Sequence, residues 1–328
     1  MPVIGTLGKL GVIEEMLRQE EFQCQDFTAV TNKEVLLKSF RYLSRLGLLQ
    51  VRDPEKQFFK VTDFGREIFQ RYRSFFVPHS YHSYMHSFED LLKNSAVDCS
   101  KIDRLENVVG SGLTHQRYFL PAISFLKRRV RFDLLADIGC GNGYFLKEAL
   151  KVISVKSAVG VDLSQISVSV TENNLKKEFP NREVSVICSD AIEVKNWGKQ
   201  LKQIAGDRKI ALSMWFLIHE ISKSEPQRII DFLKTIHGYF PKSSIVLGEL
   251  VRHPEEILAK EHAGTIMPEY LFFHELSGQG ILSWDEYQQI LQAIPYKLSS
   301  ERLFDELSDG NGAMIPSAFV WCLEPKID

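Results

Sequence analysis

Hydrophobic and polar positions follow two different patterns along the chain, with the change near residue 131. Beyond it, short apolar runs alternate with amphipathic helical stretches, and this alternation predicts a parallel sheet flanked by helices. The last two predicted strands are close enough in sequence to be antiparallel neighbours. We therefore predict an α/β fold with a Rossmann-like, doubly wound, seven-stranded sheet, whose strands are Leu134–Ile138, Ala158–Val161, Val184–Cys188, Ile210–Phe216, Ser244–Gly248, Tyr296–Leu303 and Ser317–Leu323.

The first 70 residues have the pattern of three helices, a hairpin and a further helix. The predicted hairpin consists of two short runs with strand-type residues on either side of a turn. The runs are Leu48–Val51 and Phe58–Val61, and the turn is Arg52–Lys56. This order predicts an α-helical winged-helix domain over residues 1–70, for dimerisation or for DNA binding. The third helix and the hairpin carry acidic as well as basic side chains, so the basic footprint expected of a DNA-binding surface is weak.

Residues 71–130 form a third region, which is predicted to be a helical linker that contributes to the substrate pocket. Its first part is rich in aromatic residues and contains His79, His82 and His86. A histidine-rich tract can bind metal, but next to so many aromatic residues it more often packs against a neighbouring element or lines a pocket. The catalytic domain is then predicted over residues 131–328.

Composition limits the cellular locations and the classes of partner that are expected for this protein. The hydrophobic fraction is 44%, the charged fraction is 25% and the formal net charge is -2, which do not favour a general nucleic-acid or membrane role. The five cysteines form no CxxC pair, which is typical of reduced thiols. No apolar run is long enough to span a bilayer, and residues 1–9 lack the features of a signal peptide. We predict a cytoplasmic protein without nucleic-acid or membrane partners.

The run Leu134–Gly143 carries the clearest chemical signal. An apolar strand leads into three alternate glycines, Gly139, Gly141 and Gly143, and then into a helix predicted over Tyr144–Val152. Glycines allow the backbone to turn sharply and to approach a ligand closely. Asp162 follows at the end of the next strand, where a carboxylate can accept hydrogen bonds from a ribose diol. This combination predicts a nucleoside-containing cofactor.

Asp137, on the strand just before Gly139, favours one such cofactor over the others. Its carboxylate would repel a pyrophosphate, whereas it would attract the ammonium group of S-adenosylmethionine (SAM). The run Asp137–Gly143 resembles the first motif of class I SAM-dependent methyltransferases. That resemblance implies that the three glycines cradle the methionine part of SAM, that Asp162 holds the ribose and that Asp190 lies near the adenine.

The fourth predicted strand leads to His219 and Glu220 at the edge where ligands bind in open α/β sheets. His219 could cap the following helix, or it could be a general base oriented by Glu220 or another carboxylate. It could also be half of a metal site, with His274 as the other half. Two histidines with open coordination positions suit Fe(II) or a similar divalent ion that a substrate completes.

Several stretches resemble the winged-helix, metal-assisted 2-oxo acid C-methyltransferases of the phenylpyruvate and 2-ketoarginine type. This resemblance implies that His219 and His274 hold a non-haem iron and that Arg117 grips the substrate carboxylate. The chain departs from the family pattern in having glutamate, not aspartate, after each histidine. The matching stretches are His115–Pro121, His219–Glu220, Phe240–Glu249, Phe273–Glu275 and Leu282–Tyr287.

We therefore expect a SAM-dependent methyltransferase that acts on a small molecule and forms a homodimer through residues 1–70. The first hypothesis is metal-assisted C-methylation of a 2-oxo acid, in which a metal stabilises the enolate. The alternative is metal-independent O-methylation of a phenol or another hydroxylated small molecule, with His219 as general base. A third hypothesis, a ligand-responsive DNA-binding regulator, predicts a strongly basic third helix, which is absent.

Overall fold

The structure is a computed structural model that describes residues 2–53, 55–86, 88–93, 102–257, 268–308 and 312–326. The chain divides into two compact units, Met1–Thr114 and His115–Asp328. The three-part division predicted from the sequence stays a prediction, although the helix that begins at Gln116 lies in the second unit.

The first unit is mainly helical and has the predicted order of helices and hairpin. Its core contains a cluster of aromatic rings from Phe22, Phe27, Phe40 and Phe59. Its assignment as a winged helix and its role in dimerisation stay predictions. The helices and strands are α1 (Pro2–Lys9), α2 (Val12–Arg18), α3 (Lys33–Arg45), β1 (Leu49–Asp53), β2 (Phe58–Val61), α4 (Asp63–Gln70), α5 (Phe76–Ser80), α6 (His82–Met85), α7 (Phe88–Lys93) and α8 (Arg104–Thr114), with 3-10 turns at Cys24–Asp26 and Tyr72–Phe75.

The second unit alternates strands and helices, as predicted. Its elements are α9 (Gln116–Arg129), β3 (Leu134–Ile138), α10 (Tyr144–Val152), β4 (Ser157–Asp162), α11 (Gln165–Glu178), β5 (Glu183–Cys188), α12 (Val194–Ala205), β6 (Ile210–Trp215), α13 (Ile218–Ser222), α14 (Pro226–Tyr239), β7 (Ser244–Leu250), α15 (Pro268–Leu276), α16 (Trp284–Ala293), β8 (Tyr296–Phe304), β9 (Leu307–Ser308), β10 (Met314–Ile315) and β11 (Ala318–Pro325).

The main sheet has seven strands in the order β5-β4-β3-β6-β7-β11-β8. The strands from β3 to β7 pair in parallel, whereas β11 runs antiparallel to both β7 and β8. The predicted Rossmann-like sheet of seven strands is therefore confirmed, including the antiparallel pairing of the last two strands. None of the helices described is both long and apolar enough to cross a membrane.

The strand order determines where a ligand site can form. From β3 the chain continues to β4 on one side, whereas β6 pairs with β3 on the other side. Ligands in such sheets bind at the carboxyl ends of the strands, at the point where the order reverses. The segments that follow β3 and β6 meet at that point. The first contains the glycine run, and the second leads into α13 with His219.

Candidate active site

The glycine run forms the tight loop between β3 and α10. Gly139 and Gly143 have φ angles of 74° and 75°, a region that residues with a side chain rarely adopt. A Cβ on Gly143 would also lie 2.6 Å from Cγ2 of Thr171. The loop is fastened to the neighbouring strand, because the backbone N–H of Gly139 donates to the carbonyl oxygen of Val161 at 2.8 Å. A larger residue at either position would displace the loop.

Asp162 at the end of β4 is hydrogen-bonded to this loop. Its Oδ2 accepts the backbone N–H of Gly141 at 2.9 Å, and its Oδ1 accepts that of Ser164 at 2.9 Å. Burial raises the pKa of Asp162, and the negative charge of Glu220 raises it further. Each carboxylate oxygen has more than one lone pair, so Asp162 can still accept the hydroxyl groups of a ribose, as its predicted role requires.

Asp137 is a buried carboxyl group with little compensation. It is 1% exposed, and the Ser213 hydroxyl donates to its Oδ1 at 2.7 Å. The pKa of Asp137 is raised to about 8, mainly by burial. The Ser213 hydrogen bond lowers this pKa, and the negative charge of Asp162 raises it further. A cation placed beside this carboxylate would reverse the shift. The site therefore suits a ligand with an ammonium group, as SAM has.

Asp190 lies two residues beyond the end of β5, in a turn where its Oδ1 accepts the backbone N–H of Ile192 at 3.0 Å. Three large apolar side chains beyond β4 and β5 are exposed to solvent. An apolar surface near Asp162, the carboxylate predicted to hold a ribose, would suit a planar base. These side chains are Leu163, Ile166 and Ile192.

The turn after β6 brings His219 to the carboxyl edge of the sheet. Phe216 has a φ angle of 49°, unusual for a residue with a bulky side chain, and its N–H donates to the Gly248 carbonyl at 2.9 Å. Leu217 then covers the glycine loop: a Cβ on Gly139 would lie 3.1 Å from its Cδ1. His219, two residues later in α13, is therefore next to the predicted cofactor loop.

Glu249 on β7 is the carboxylate that contacts His219. Its Oε1 lies 2.9 Å from Nδ1 of His219, and its Oε2 accepts the backbone N–H of the same residue at 3.2 Å. Both side chains are buried. Burial by itself lowers the pKa of His219. The charge and hydrogen bond of Glu249, together with the charge of Glu220 and an interaction with the Gln279 side chain, outweigh burial, so the pKa is raised overall.

Glu220, the first carboxylate considered from the sequence, is exposed and acts on His219 through its charge. Its catalytic role stays a prediction, while the orienting contact belongs to Glu249. Sequence reasoning did not assign this role to Glu249. The available signal was an acidic residue within the otherwise apolar or small run Ser244–Leu250, since a charge buried in a strand requires a partner.

His274 lies beside His219 although the two are distant in sequence. Their ring centroids are 5.1 Å apart, with the planes at 65°. Backbone hydrogen bonds hold the two segments together. The N–H of Gly280 donates to the carbonyl oxygen of His219 at 2.9 Å, and the N–H of Gln279 donates to the carbonyl oxygen of His274 at 2.8 Å. The predicted pairing of these two histidines is thus present in the structure.

A metal at this pair stays a prediction. Within the described part of the chain, no group of three or more histidine, cysteine, aspartate or glutamate side chains could hold a metal ion. The pair offers two imidazoles, and Glu249 occupies Nδ1 of one of them. The histidine-rich tract of the first unit is a separate case. One of its members, His79, is hydrogen-bonded to Glu106, with 2.6 Å between Nδ1 and Oε1.

His115 is a third imidazole near this pair, and sequence reasoning did not single it out. Its ring stacks on Phe216, with centroids 3.6 Å apart and planes at 24°. Burial lowers the pKa of His115 to about 3, and the positive charges of His219 and His274 contribute to this shift. The ring is therefore neutral at physiological pH, with one nitrogen as a donor and the other as an acceptor.

Arg117, predicted to grip a substrate carboxylate, forms an internal ion pair. Its Nη2 lies 2.6 Å from Oδ2 of Asp305, and the same nitrogen donates to the Tyr118 hydroxyl at 2.6 Å. Its side chain is 48% exposed. A substrate carboxylate would compete with Asp305 for this guanidinium, so the predicted role of Arg117 requires an exchange of partners.

Comparison with known proteins supports the fold and goes no further. No family model matches this sequence, and no curated protein matches it by sequence. Solved structures match over nearly the whole chain. The human N-acetylserotonin methyltransferase in complex with SAM has a TM-score of 0.64 at 12% identity, over 99% of this chain and 93% of that chain.

Two proteins described as O-methyltransferases are similar in the same way. The mitomycin 7-O-methyltransferase has a TM-score of 0.63 at 11% identity, over 99% of this chain and 94% of that chain. An O-methyltransferase from neocarzinostatin biosynthesis, in complex with SAM and 2-hydroxy-5-methyl naphthoic acid, has a TM-score of 0.58 at 12% identity, over 99% and 95%. The chain therefore shares the fold of these enzymes along its whole length.

Proposed function

We propose that this protein is a SAM-dependent O-methyltransferase of a hydroxylated small molecule, with His219 as the general base. The observation that carries the proposal is the hydrogen bond between buried Glu249 and Nδ1 of His219, beside the glycine loop. A carboxylate in this position fixes the orientation of the imidazole and stabilises its protonated form. The shared fold with O-methyltransferases supports the same assignment.

The residues around the glycine loop fit SAM. Asp137 would compensate the ammonium group, since its buried carboxyl otherwise has a raised pKa. Asp162 would accept the ribose hydroxyls, and the exposed apolar residues beyond β4 and β5 would cover the adenine. SAM, once bound, supplies an electrophilic methyl group on a sulfonium, for which neutral thioether is the leaving group.

The protein's own contribution is to prepare and position the attacking oxygen. Nε2 of His219 would take the proton of the acceptor hydroxyl, while Glu249 compensates the charge that forms on the ring. Deprotonation matters for hydroxyl groups, which are poor nucleophiles when neutral. The oxygen must also lie in line with the sulfur–methyl bond, and holding it there contributes a large part of the rate.

Metal-assisted C-methylation of a 2-oxo acid is the competing proposal, and the pair His219 and His274 is the observation that favours it. It requires a metal at two imidazoles with the substrate completing the coordination. The proteins of known structure that the chain matches are described as O-methyltransferases in several cases, which supports the metal-independent proposal instead.

The two proposals are separated by metal content and by the acceptor. The protein is purified anaerobically with Fe(II), its metal is quantified, and methyl transfer from SAM is assayed with phenols and with 2-oxo acids. We expect phenol methylation that survives chelation, and its loss in His219→Ala with SAM binding retained. C-methylation would be established by a different result. The protein would contain about one metal per chain and would methylate 2-oxo acids only, and both the metal and this activity would be lost in His219→Ala and in His274→Ala.

The homodimer and the cytoplasmic location are further proposals that the sequence alone supports. Sedimentation analysis of the full chain would test the first. A monomer at micromolar concentration would contradict a dimer built through residues 1–70.

A further inference from the structure

Two further imidazoles, those of His115 and His274, lie near the proposed base His219, which is more than the removal of one proton needs. His219 interacts electrostatically with His115, as does His274, and the rings of His219 and His274 are 5.1 Å apart. The removal of one hydroxyl proton uses His219 alone. The other two imidazoles each carry nitrogens that can donate or accept a hydrogen bond.

His115 is held by a fixed support. It precedes α9, and its ring stacks flat against Phe216, the residue held at a φ angle of 49° after β6. Tyr118 packs edge-on against the same phenylalanine, with centroids 5.2 Å apart. The other face of the imidazole is a flat surface of the kind that packs well against a planar aromatic molecule.

The nitrogens of His115 lack an internal partner in the described part of the chain. Its ring stacks on Phe216 and interacts electrostatically with His219 and His274, and no described residue makes a hydrogen bond to it. A partly buried polar group that loses water when a substrate binds costs free energy unless the substrate replaces the hydrogen bond. The acceptor is therefore expected to bring a polar atom to His115.

We propose that His115 recognises a second oxygen next to the methylated hydroxyl, so that the acceptor is a vicinal dioxygenated aromatic compound. This inference rests on the proposed O-methyltransferase function and names its substrate class. Adjacent oxygens on an aromatic ring lie as close together as hydrogen-bond partners, so one oxygen can face His219 while the other faces a neighbouring imidazole. A phenol with a single oxygen would leave His115 desolvated and unpaired.

The test compares three probes that differ in the number and the spacing of oxygens: catechol, its isomer resorcinol, and phenol. Methyl transfer from SAM is measured on the full chain in the presence of EDTA. We expect kcat/KM for catechol to exceed that for resorcinol and phenol by at least about tenfold, because sites built to hydrogen-bond a substrate group discriminate strongly against its absence.

Substitution of His115 then isolates its contribution. His115→Phe keeps the stacking on Phe216 and removes the polar nitrogens, so the preference for catechol should collapse, mainly through a higher KM for catechol. His115→Gln restores a donor and an acceptor and should recover part of the preference. His237→Phe is the matched control, since His237 on α14 also lies against an aromatic ring, that of Tyr296, and should leave the preference unchanged.

The outcomes separate this inference from the function on which it rests. If no probe is methylated, the proposed function fails, and competitive binding of catechol and resorcinol still tests the recognition. Equal affinities, equal kcat/KM values, or a preference that persists in a folded His115→Phe variant would overturn the inference. A preference that disappears in EDTA and returns with Fe(II) would also overturn it, because a metal would then be the recognising group.

Discussion

Oε1 of Glu249 lies 2.9 Å from Nδ1 of His219, and the second oxygen of the same carboxylate accepts the backbone N–H of that histidine. One side chain thus fixes both the ring and the main chain of the proposed base. The sheet register explains this contact. Trp215, the last residue of β6, pairs with Gly248 on β7, so Glu249 lies beside the turn that leads to His219.

Glu249→Gln should move the pH dependence of methyl transfer. In the wild type, kcat/KM should rise with pH through a His219 pKa above its usual value of about 6.5, because the neutral imidazole is the active form. The charge of Glu249 is the largest contribution that opposes burial, so its removal lowers the His219 pKa and the midpoint moves to lower pH. The plateau rate should also fall about tenfold to a hundredfold, since the base loses its orienting partner.

The measurement is a pH–rate profile of both proteins, with the His219 ring titrated by NMR. Glu220→Gln is the matched control, because Glu220 is exposed and acts on His219 through its charge. It should shift the midpoint less. An unmoved midpoint in Glu249→Gln would contradict the proposed coupling.

SAM affinity should depend on pH through Asp137. The ligand requires the ionised carboxylate, whose pKa is raised by burial to about 8, so binding at lower pH must first release a proton. Between pH 6 and pH 7 the Kd should therefore fall about tenfold, since each unit below the pKa costs about 1.4 kcal/mol. Isothermal titration calorimetry measures this slope, and Asp137→Asn should flatten it while weakening binding. A slope retained in Asp137→Asn would locate the proton elsewhere.

Asp137 should also lower the stability of the ligand-free protein as the pH rises. Its folded-state pKa lies above its unfolded value, so the folded state binds more protons between about pH 4 and pH 8, and the free energy of unfolding falls across that range. Asp137→Asn should accordingly raise the free energy of unfolding by about 1–3 kcal/mol at pH 8, as removal of an incompletely paired buried charge does. Urea unfolding at pH 5 and pH 8 would reveal the effect, and equal differences at both values would rule it out.

Gly143→Ala should abolish SAM binding and destabilise the fold by about 1–3 kcal/mol. The φ angle of 75° is unfavourable for alanine, and the new Cβ would lie 2.6 Å from Cγ2 of Thr171. Gly238→Ala is the control: it lies within α14, and a Cβ there meets no atom within 4 Å. That substitution should stabilise the protein by about 0.4–1 kcal/mol. Thermal melts with and without SAM report both effects.

Arg117 and Asp305 should couple weakly. Their ion pair is partly exposed, and such pairs typically contribute about 0.2–1 kcal/mol. A double-mutant cycle of Arg117→Gln and Asp305→Asn in urea measures the coupling, with Arg128→Gln on the same helix as control. If Arg117 grips an acceptor carboxylate instead, Arg117→Gln would raise the KM of carboxylate-bearing acceptors and leave that of catechol unchanged.

Local features of the sequence predicted much of this structure. The seven strands of the main sheet, the helix Tyr144–Val152 and the antiparallel pairing of the last strands follow from hydrophobic periodicity and the spacing of turns. The glycine loop could also be predicted from the sequence. Its glycines, Gly139, Gly141 and Gly143, lie within one continuous segment, and their backbone role depends on their own φ angles.

The partners of the proposed base were decided by the tertiary structure alone. Glu249 reaches His219 because β6 and β7 are adjacent in the sheet. His274 comes beside His219 from α15, and His115, at the start of α9, stacks on Phe216 in the turn before His219. The sequence determined the strand–loop–helix unit of the predicted cofactor site, since short-range periodicity and glycine conformations encode it. The composition of the proposed catalytic site depended on strand order and register, which bring together side chains that have no fixed spacing along the chain.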